Sequence, residues 1–350
     1  MKITLLYIIL ILPILTYGQD IHFSQTIRGN FQINPAFIGT FDGNIKAEMN
    51  WKDQWRSIDN SFRTFGSSFE YSFGKRGYTP SPVFFAIGAH VFKDVSGDIE
   101  LGNTNVGATF STHIKVNSNA RFVLGLQGNY SSMGINPAKM EWGSQYSGIK
   151  FDPSLNNGEG VEFAPFNYGD ISFGLAYWYH KKNRGFYAKS AKDARIGFSA
   201  YHLNRPDYSF GFGDSKLPIR FVLHGDALIS IHEDLSIYPN FNIMYQNKQH
   251  EVLVGTLWKY NIRHNTNHTG LKKEMSISAG VDLRITNIFD AIIPQIYIGV
   301  ENFSLGLSYD INVSRLNTSS NYRGGFEFSL RFINNDGYYH KNPFKPSASI

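Results

Sequence analysis

A few serines and histidines are the first places to look for chemistry in this 350-residue chain. His264 and His268 stand four apart, a spacing that puts two ligands on one face of a helix. The residues between them, Asn265-Thr266-Asn267, read as loop, so the pair is expected at the surface. Gly211-Phe212-Gly213-Asp214 has the look of a nucleotide-loop fragment, but no strand–helix context surrounds it, and a turn is expected. Ser111 with His113, and His202 near Asn204, supply the residue types of an acyl hydrolase. Their spacing singles out neither pair, because catalytic triads are defined by geometry and not by order. HExxH, GxSxG and Walker signatures are absent. The sequence therefore predicts no catalytic residue, no cofactor and no metal.

The elements that would position these residues are strands. In Asn44–Trp51, Ile45, Ala47, Met49 and Trp51 alternate with Asn44, Lys46, Glu48 and Asn50, giving one apolar and one hydrated face. The same period of two recurs in Phe65–Phe73, Ile171–Tyr179, Met275–Leu283, Phe303–Ile311 and Phe326–Phe332. The pattern predicts about 14 strands, near 44–51, 62–73, 83–92, 104–116, 120–130, 169–180, 195–203, 217–230, 234–246, 250–260, 273–285, 291–300, 303–313 and 324–333. Most are long enough to cross a bilayer at a tilt, which takes about 9–11 residues. A soluble sandwich shows similar alternation. Aromatics at strand ends (Trp51, Tyr130, Tyr177-Trp178-Tyr179, Trp258 and Tyr260) fit interfacial girdles and favour a closed all-β transmembrane barrel.

Composition and the chain start agree. Met1-Lys2, the apolar run to Leu15 and Thr16-Tyr17-Gly18 form a secretory leader expected to be cleaved after Gly18. With no cysteine, disulfides, Cys-ligated metals and a lipoprotein anchor are excluded, so anchoring must come from the fold. Phe 29, Tyr 20 and Gly 33 against 17% charged residues is strand-and-turn composition. The net charge of +5 is scattered and gives no nucleic-acid patch.

Four regions result: a leader at 1–18, a segment at 19–42 lying in the lumen or capping the periplasmic mouth, a barrel at 43–333, and a periplasmic tail at 334–350. With a periplasmic N-terminus, even-to-odd connections should be short, as Asn117–Asn119, Ile231–Glu233 and Glu301-Asn302 are. The long Ser131–Tyr168 connection, with Trp142, Tyr146 and Phe151, has the opposite parity, and Asn261–Lys272 breaks the rule.

Particular residues then say more than periodicity. His22-Phe23-Ser24-Gln25, Asn34-Pro35-Ala36-Phe37-Ile38-Gly39 and Asn50–Trp55 come first, the last ending in Gln54-Trp55. Gly197–Pro206, with His202 and Pro206, follows. Leu305–Ser314, with Tyr309, Asp310 and Asn312, and Asn321–Leu330, with Gly324 and Gly325, close the series. In this order the blocks resemble the PorP/SprF family of type IX secretion outer-membrane proteins; Lys52 and Asp53 depart from its usual Tyr-Arg-x-Gln-Trp form. The resemblance implies a non-catalytic accessory or anchor barrel that supports export or surface attachment of an adhesin with a C-terminal sorting domain. It also implies contact with the secretion ring or gliding machinery, or with a peptidoglycan-binding lipoprotein. The motif residues are expected to act in folding or in partner contact. Asn34-Pro35 reads as a turn, Asp310 and Asn312 as lumen-facing, and Gly324-Gly325 as a bulge or close approach. The alternatives are a channel or transporter for small or hydrophobic solutes, and a surface adhesin acting through its own loops.

Overall fold

The computed structural model describes residues 20–334 apart from 21, 29, 56–60, 76–80, 157, 159–163, 182–191, 211–214, 233, 264–273 and 315–322. The leader, the tail beyond residue 334, the His264/His268 pair, the Gly211–Asp214 turn and Asn321-Tyr322 lie outside the described residues.

Fourteen strands follow one another in chain order: β1 Ile45–Gln54, β2 Phe62–Phe73, β3 Val83–Ser96, β4 Leu101–Lys115, β5 Ala120–Gly134, β6 Phe166–Lys181 and β7 Lys192–Tyr201, then β8 Arg220–Ser230, β9 Leu235–Gln246, β10 Gln249–Arg263, β11 Glu274–Ile285, β12 Phe289–Val300, β13 Phe303–Asn312 and β14 Arg323–Asn334. Each pairs antiparallel with its neighbours, and β1 pairs with β14 from Ile45↔Asn334 to Gln54↔Gly325, which closes the barrel. Closure removes every sheet edge, the condition for strands in lipid. Pro239 and Pro294, which cannot donate to a ladder, sit where pairing to β8 and β13 respectively is interrupted.

The alternation read from the sequence sorts into an inside and an outside. On β1, Lys46, Glu48, Asn50 and Lys52 are buried in the lumen. Outside, Phe69, Leu126, Tyr130, Trp258 and Tyr260 are half or more exposed, as a lipid-facing surface requires. One girdle assignment is corrected. Trp178 is only 3% exposed, because it falls between Tyr177 and Tyr179 in the alternation and therefore points inward, onto Phe37 and Phe84. No helix among the described residues is long and apolar enough to cross a membrane.

Several strands outrun their expected ends. β3, β5, β6 and β10 extend to Ser96, Gly134, Phe166 and Arg263. Hydropathy stops reporting once the outer face leaves the apolar band, as at Ser132, while the hydrogen-bonded ladder continues. The connections from odd to even strands define a loop end, which carries 135–165 with its 3-10 turns at Pro137–Lys139 and Gly143–Gln145. β1 begins at the opposite end.

The N-terminal segment settles inside the barrel. It enters at the loop end with Asp20, forms a short helix α1 at Asn30–Ile33 and a 3-10 turn at Pro35–Phe37, and reaches the start of β1 at Ile45. Its apolar residues supply much of the lumenal core: Ala36 and Phe37 pack with Phe84, Val123, Ala176 and Trp178, and Phe23 and Phe31 pack with Phe92.

The outer face makes a direct prediction. Leu126→Arg, midway along β5, should destabilise the barrel by about 2–4 kcal/mol, while Val116→Arg beyond the end of β4 should cost about 0–1 kcal/mol. Denaturant titration in lipid vesicles measures both, and equal losses would contradict a lipid-facing belt.

Candidate functional site: the lumenal plug

Asn34 sets the geometry of the plug. Its Oδ1 accepts from Ala36 N at 2.7 Å and so caps the 3-10 turn, where Pro35 needs no donor. Its Nδ2 lies 3.0 Å from Leu175 O, 3.2 Å from Phe198 O and 2.9 Å from His224 Nε2, tying the turn to β6, β7 and β8. The opposing wall is flat because Gly125 and Gly174 carry no side chain. A Cβ on Gly174 would collide with the Asn34 amide, and one on Gly125 with the Pro35–Ala36 peptide.

The turn then ends against the barrel floor. Gly39 has φ +85°, and its N donates to Glu70 Oε2 at 2.9 Å. A Cβ there would lie 2.7 Å from Ala86 Cβ, so only glycine fits on both counts. Lys75 Nζ donates to the carbonyls of Gly39, Phe41 and Gly43. Ser111 and His113, nominated above as a hydrolase pair, are 3.1 Å apart and both turn to Ile38 O, at 2.8 and 2.9 Å. To donate there, His113 Nε2 must carry a proton, so it has no lone pair free to take one from Ser111. The pair is a plug anchor.

At the loop end, the first motif of the chain meets the last. Ser24 N and Gln25 N donate to the two oxygens of Glu327 at 2.7 and 3.2 Å. Gln25 reaches Ser308 Oγ, and Ser329 Oγ donates back to Gln25 Oε1 at 2.6 Å. The Ser24 hydroxyl donates to Asp310 Oδ2 at 3.0 Å and accepts from Lys52 and Arg284. Arg284 also pairs with Asp310 at 2.8 Å. Asp310 and Glu327 are fully buried; Lys52 and Arg284 offset the desolvation of Asp310, while Glu327 is met by the two backbone N–H groups of the plug. Arg331 joins the plug backbone, donating to Ile27 O while paired with Glu48.

His202 forms the third anchor. It sits at φ +60° just after β7, with Nδ1 2.6 Å from Asp170 Oδ2 and Nε2 2.6 Å from Asp20 Oδ2. Arg220 lies 3.3 Å from the same Asp20 oxygen. Burial disfavours the charged imidazole, but the carboxylates of Asp20 and Asp170 outweigh it and lift the His202 pKa to about 9. Burial likewise opposes the Asp20 charge, and His202 and Arg220 hold its carboxyl well below the usual range.

The remaining motif residues fall elsewhere. Gln54 ends β1 opposite Gly325, and Trp55, at φ +61°, donates its N to Gly324 O at 2.7 Å. The β13–β14 register skips Gly324, which is the expected bulge, and a Cβ there would strike Asp310 O and Asn312 Oδ1. These four residues form a corner of the β1–β14 seam. Asn312 is buried and inward like Asp310, Pro206 O accepts from Leu217 N within the 202–219 loop, and Tyr309 faces outward beside Phe326. Sequence reading missed Glu327, Lys75 and Gly174. Glu327 alone left a signal, as the carboxylate on a polar inner face of β14 that also carries Ser329 and Arg331.

Two predictions follow from the anchors. Asn34→Leu leaves carbonyls of β6 and β7 without their donor, at about 1–3 kcal/mol per group. It should make residues 20–44 protease-sensitive in an otherwise intact barrel. The His202 contact, framed by Asp20, Asp170, Arg220, Tyr168 and Tyr201, has a raised histidine pKa. Its contribution is complete below the unfolded value of about 6.5 and is lost as pH rises through about 9. Exchange of the Asp20 amide, which donates to Gln246, should therefore quicken across that window after correction for intrinsic rate, and His202→Gln should abolish the dependence.

No curated protein matches the chain in sequence. Solved barrels resemble it at a distance. BamA from Haemophilus ducreyi lacking POTRA domains 1–3 is 10% identical, covers 83% of this chain and 70% of its own, and has a TM-score of 0.41. The Ralstonia pickettii toluene transporter TbuX is 10% identical over 86% and 91% of the two chains, TM-score 0.44. The Pseudomonas putida toluene transporter TodX is 9% identical over 88% and 93%, TM-score 0.44. Likeness at this level carries no functional argument. The profile of type IX secretion system membrane proteins PorP/SprF, in contrast, matches residues 15–332, so the chain belongs to that family.

Proposed function

We propose that this protein is a non-catalytic barrel of the bacterial outer membrane, exported with a cleaved leader, that serves type IX secretion as an accessory or anchor. Its partner would be an adhesin with a C-terminal sorting domain, with a further link to the secretion ring, the gliding machinery or a peptidoglycan-binding lipoprotein. Family membership supports the secretion role. The observation that carries the accessory reading over a channel is the plug: the chain's own N-terminal segment is bonded to the inner wall along its length, at His202, Asp310, Glu327, Leu175 and Glu70. A solute pore needs a continuous wet path, whereas an anchor needs a rigid wall.

Tagged protein from mildly solubilised outer membranes should bring down an adhesin with a sorting domain or secretion-ring components, identified by mass spectrometry. The same protein in planar bilayers should show no steady conductance. Purification alone, together with stepwise ion conductance by the wild type, would overturn this reading in favour of a solute channel.

A further inference from the structure

At the loop end the plug stops short of filling the lumen. A cavity of about 350 Å³ remains between Phe31 and Gln32 of the plug, the inner faces of β3–β6 and the turn at His202. That volume falls in the range of small-molecule pockets, about 300–1,000 Å³.

The wall chemistry restricts the occupant. Asn103, Asn105, Gln127 and Asn129 form an amide patch across β4 and β5. Internal bonds orient three of them: Gln127 Nε2 donates to Asn129 Oδ1 at 3.0 Å, Asn129 Nδ2 to Asp170 at 2.8 Å and Asn105 Nδ2 to Ser131 Oγ at 2.7 Å, while Gln127 Oε1 accepts from Thr109 and Asn105 Oδ1 lies 3.1 Å from His90 Nε2. A carboxamide has two donor hydrogens and two acceptor lone pairs, so these bonds leave capacity for a ligand. Aromatic rings stand around the patch, including Phe92 and Tyr208, and Tyr208 is held edge-on by Phe166 and Tyr168.

We propose that this cavity binds a neutral saccharide, with hydroxyls paired to the amide patch and a ring face laid on an aromatic. A hydrocarbon would leave the remaining donor and acceptor positions of the amides unpaired. A peptide joining by strand addition finds no edge, because the β1–β14 ladder closes the sheet. An anion finds Arg220 already paired to Asp20 and His202 already shared between two carboxylates. The saccharide site stands apart from the secretion role, and the failure of one leaves the other unaffected.

Full-length protein in detergent, screened on an array of neutral and acidic oligosaccharides, tests this, followed by calorimetric titration of the best neutral disaccharide. One saturable site is expected. Asn103→Leu and Tyr208→Ala should each weaken it at least about tenfold with an unchanged melting transition. Toluene and an extended adhesin-tail peptide should fail to compete. The proposal is overturned by an array with no neutral binder, by selection of acidic glycans alone, by wild-type affinity in both variants, or by displacement with toluene or peptide. Should either variant melt early, Asn103→Ala, at a half-buried position of the patch, supplies the same reading.

Discussion

A sheet that closes on itself solves the edge problem and creates another, an inner wall whose polar groups face one another across a space too wide for their side chains to fill. Here that wall carries Lys46, Glu48, Lys52, Glu70, Arg284, Asp310 and Glu327, a density of buried charge that only mutual pairing or a bonded filler can hold. The N-terminal segment is that filler. It brings backbone donors to Glu327 and Glu70, a hydroxyl to the Lys52–Arg284–Asp310 cluster, and a carboxylate to His202. Glu70, Asp310 and His202 already have wall partners in Lys46, Arg284 and Asp170, and the plug completes their hydrogen bonding, so plug and barrel are one electrostatic unit.

This arrangement ties together residues far apart in sequence. Ser24 and Glu327 are separated by 303 positions, yet their bond lies beside the seam where β1 meets β14. Closing the barrel and seating the plug therefore use the same strands, with Asp310 bonded to the plug and, through its carbonyl, packed on the Gly324 bulge. Placing the last motif of the chain next to the first gives a physical reason for both: each is half of one contact.

Period-two alternation revealed the strands, their number and which face was wet, because a lipid-facing belt leaves an unbroken hydropathy signal. It failed where that signal ends. The outer parts of β3, β5 and β6 lie beyond the apolar band, and Trp178 looks like a girdle aromatic until its neighbours fix its direction inward. The plug motif was visible as Asn34-Pro35-Ala36-Phe37-Ile38-Gly39, but its receptor was not. That receptor is made of absences (the missing side chains of Gly125 and Gly174) together with carbonyls from two strands and the His224 ring on a third, and none of these has a sequence signature. Ser111 and His113 show the converse: residue types of a hydrolase, occupied by the mundane task of holding Ile38 O.

The two ends of the plug are held differently, and this decides how it could yield. Toward β1 the hydrogen bonds of Asn34 and Gly39 are backed by a steric fit, Asn34 against Gly174 and Gly39 against Ala86, and a packed contact of this kind is either kept or lost entirely. Toward the loop end it is ionic and hydrogen-bonded through Asp20, Ser24 and Gln25, groups that can exchange one partner for another or for water. Any loosening of the plug would accordingly start at Asp20, beneath the amide-lined cavity, and stop at Asn34. The barrel would stay closed at its far end while the composition of its loop-end mouth changed.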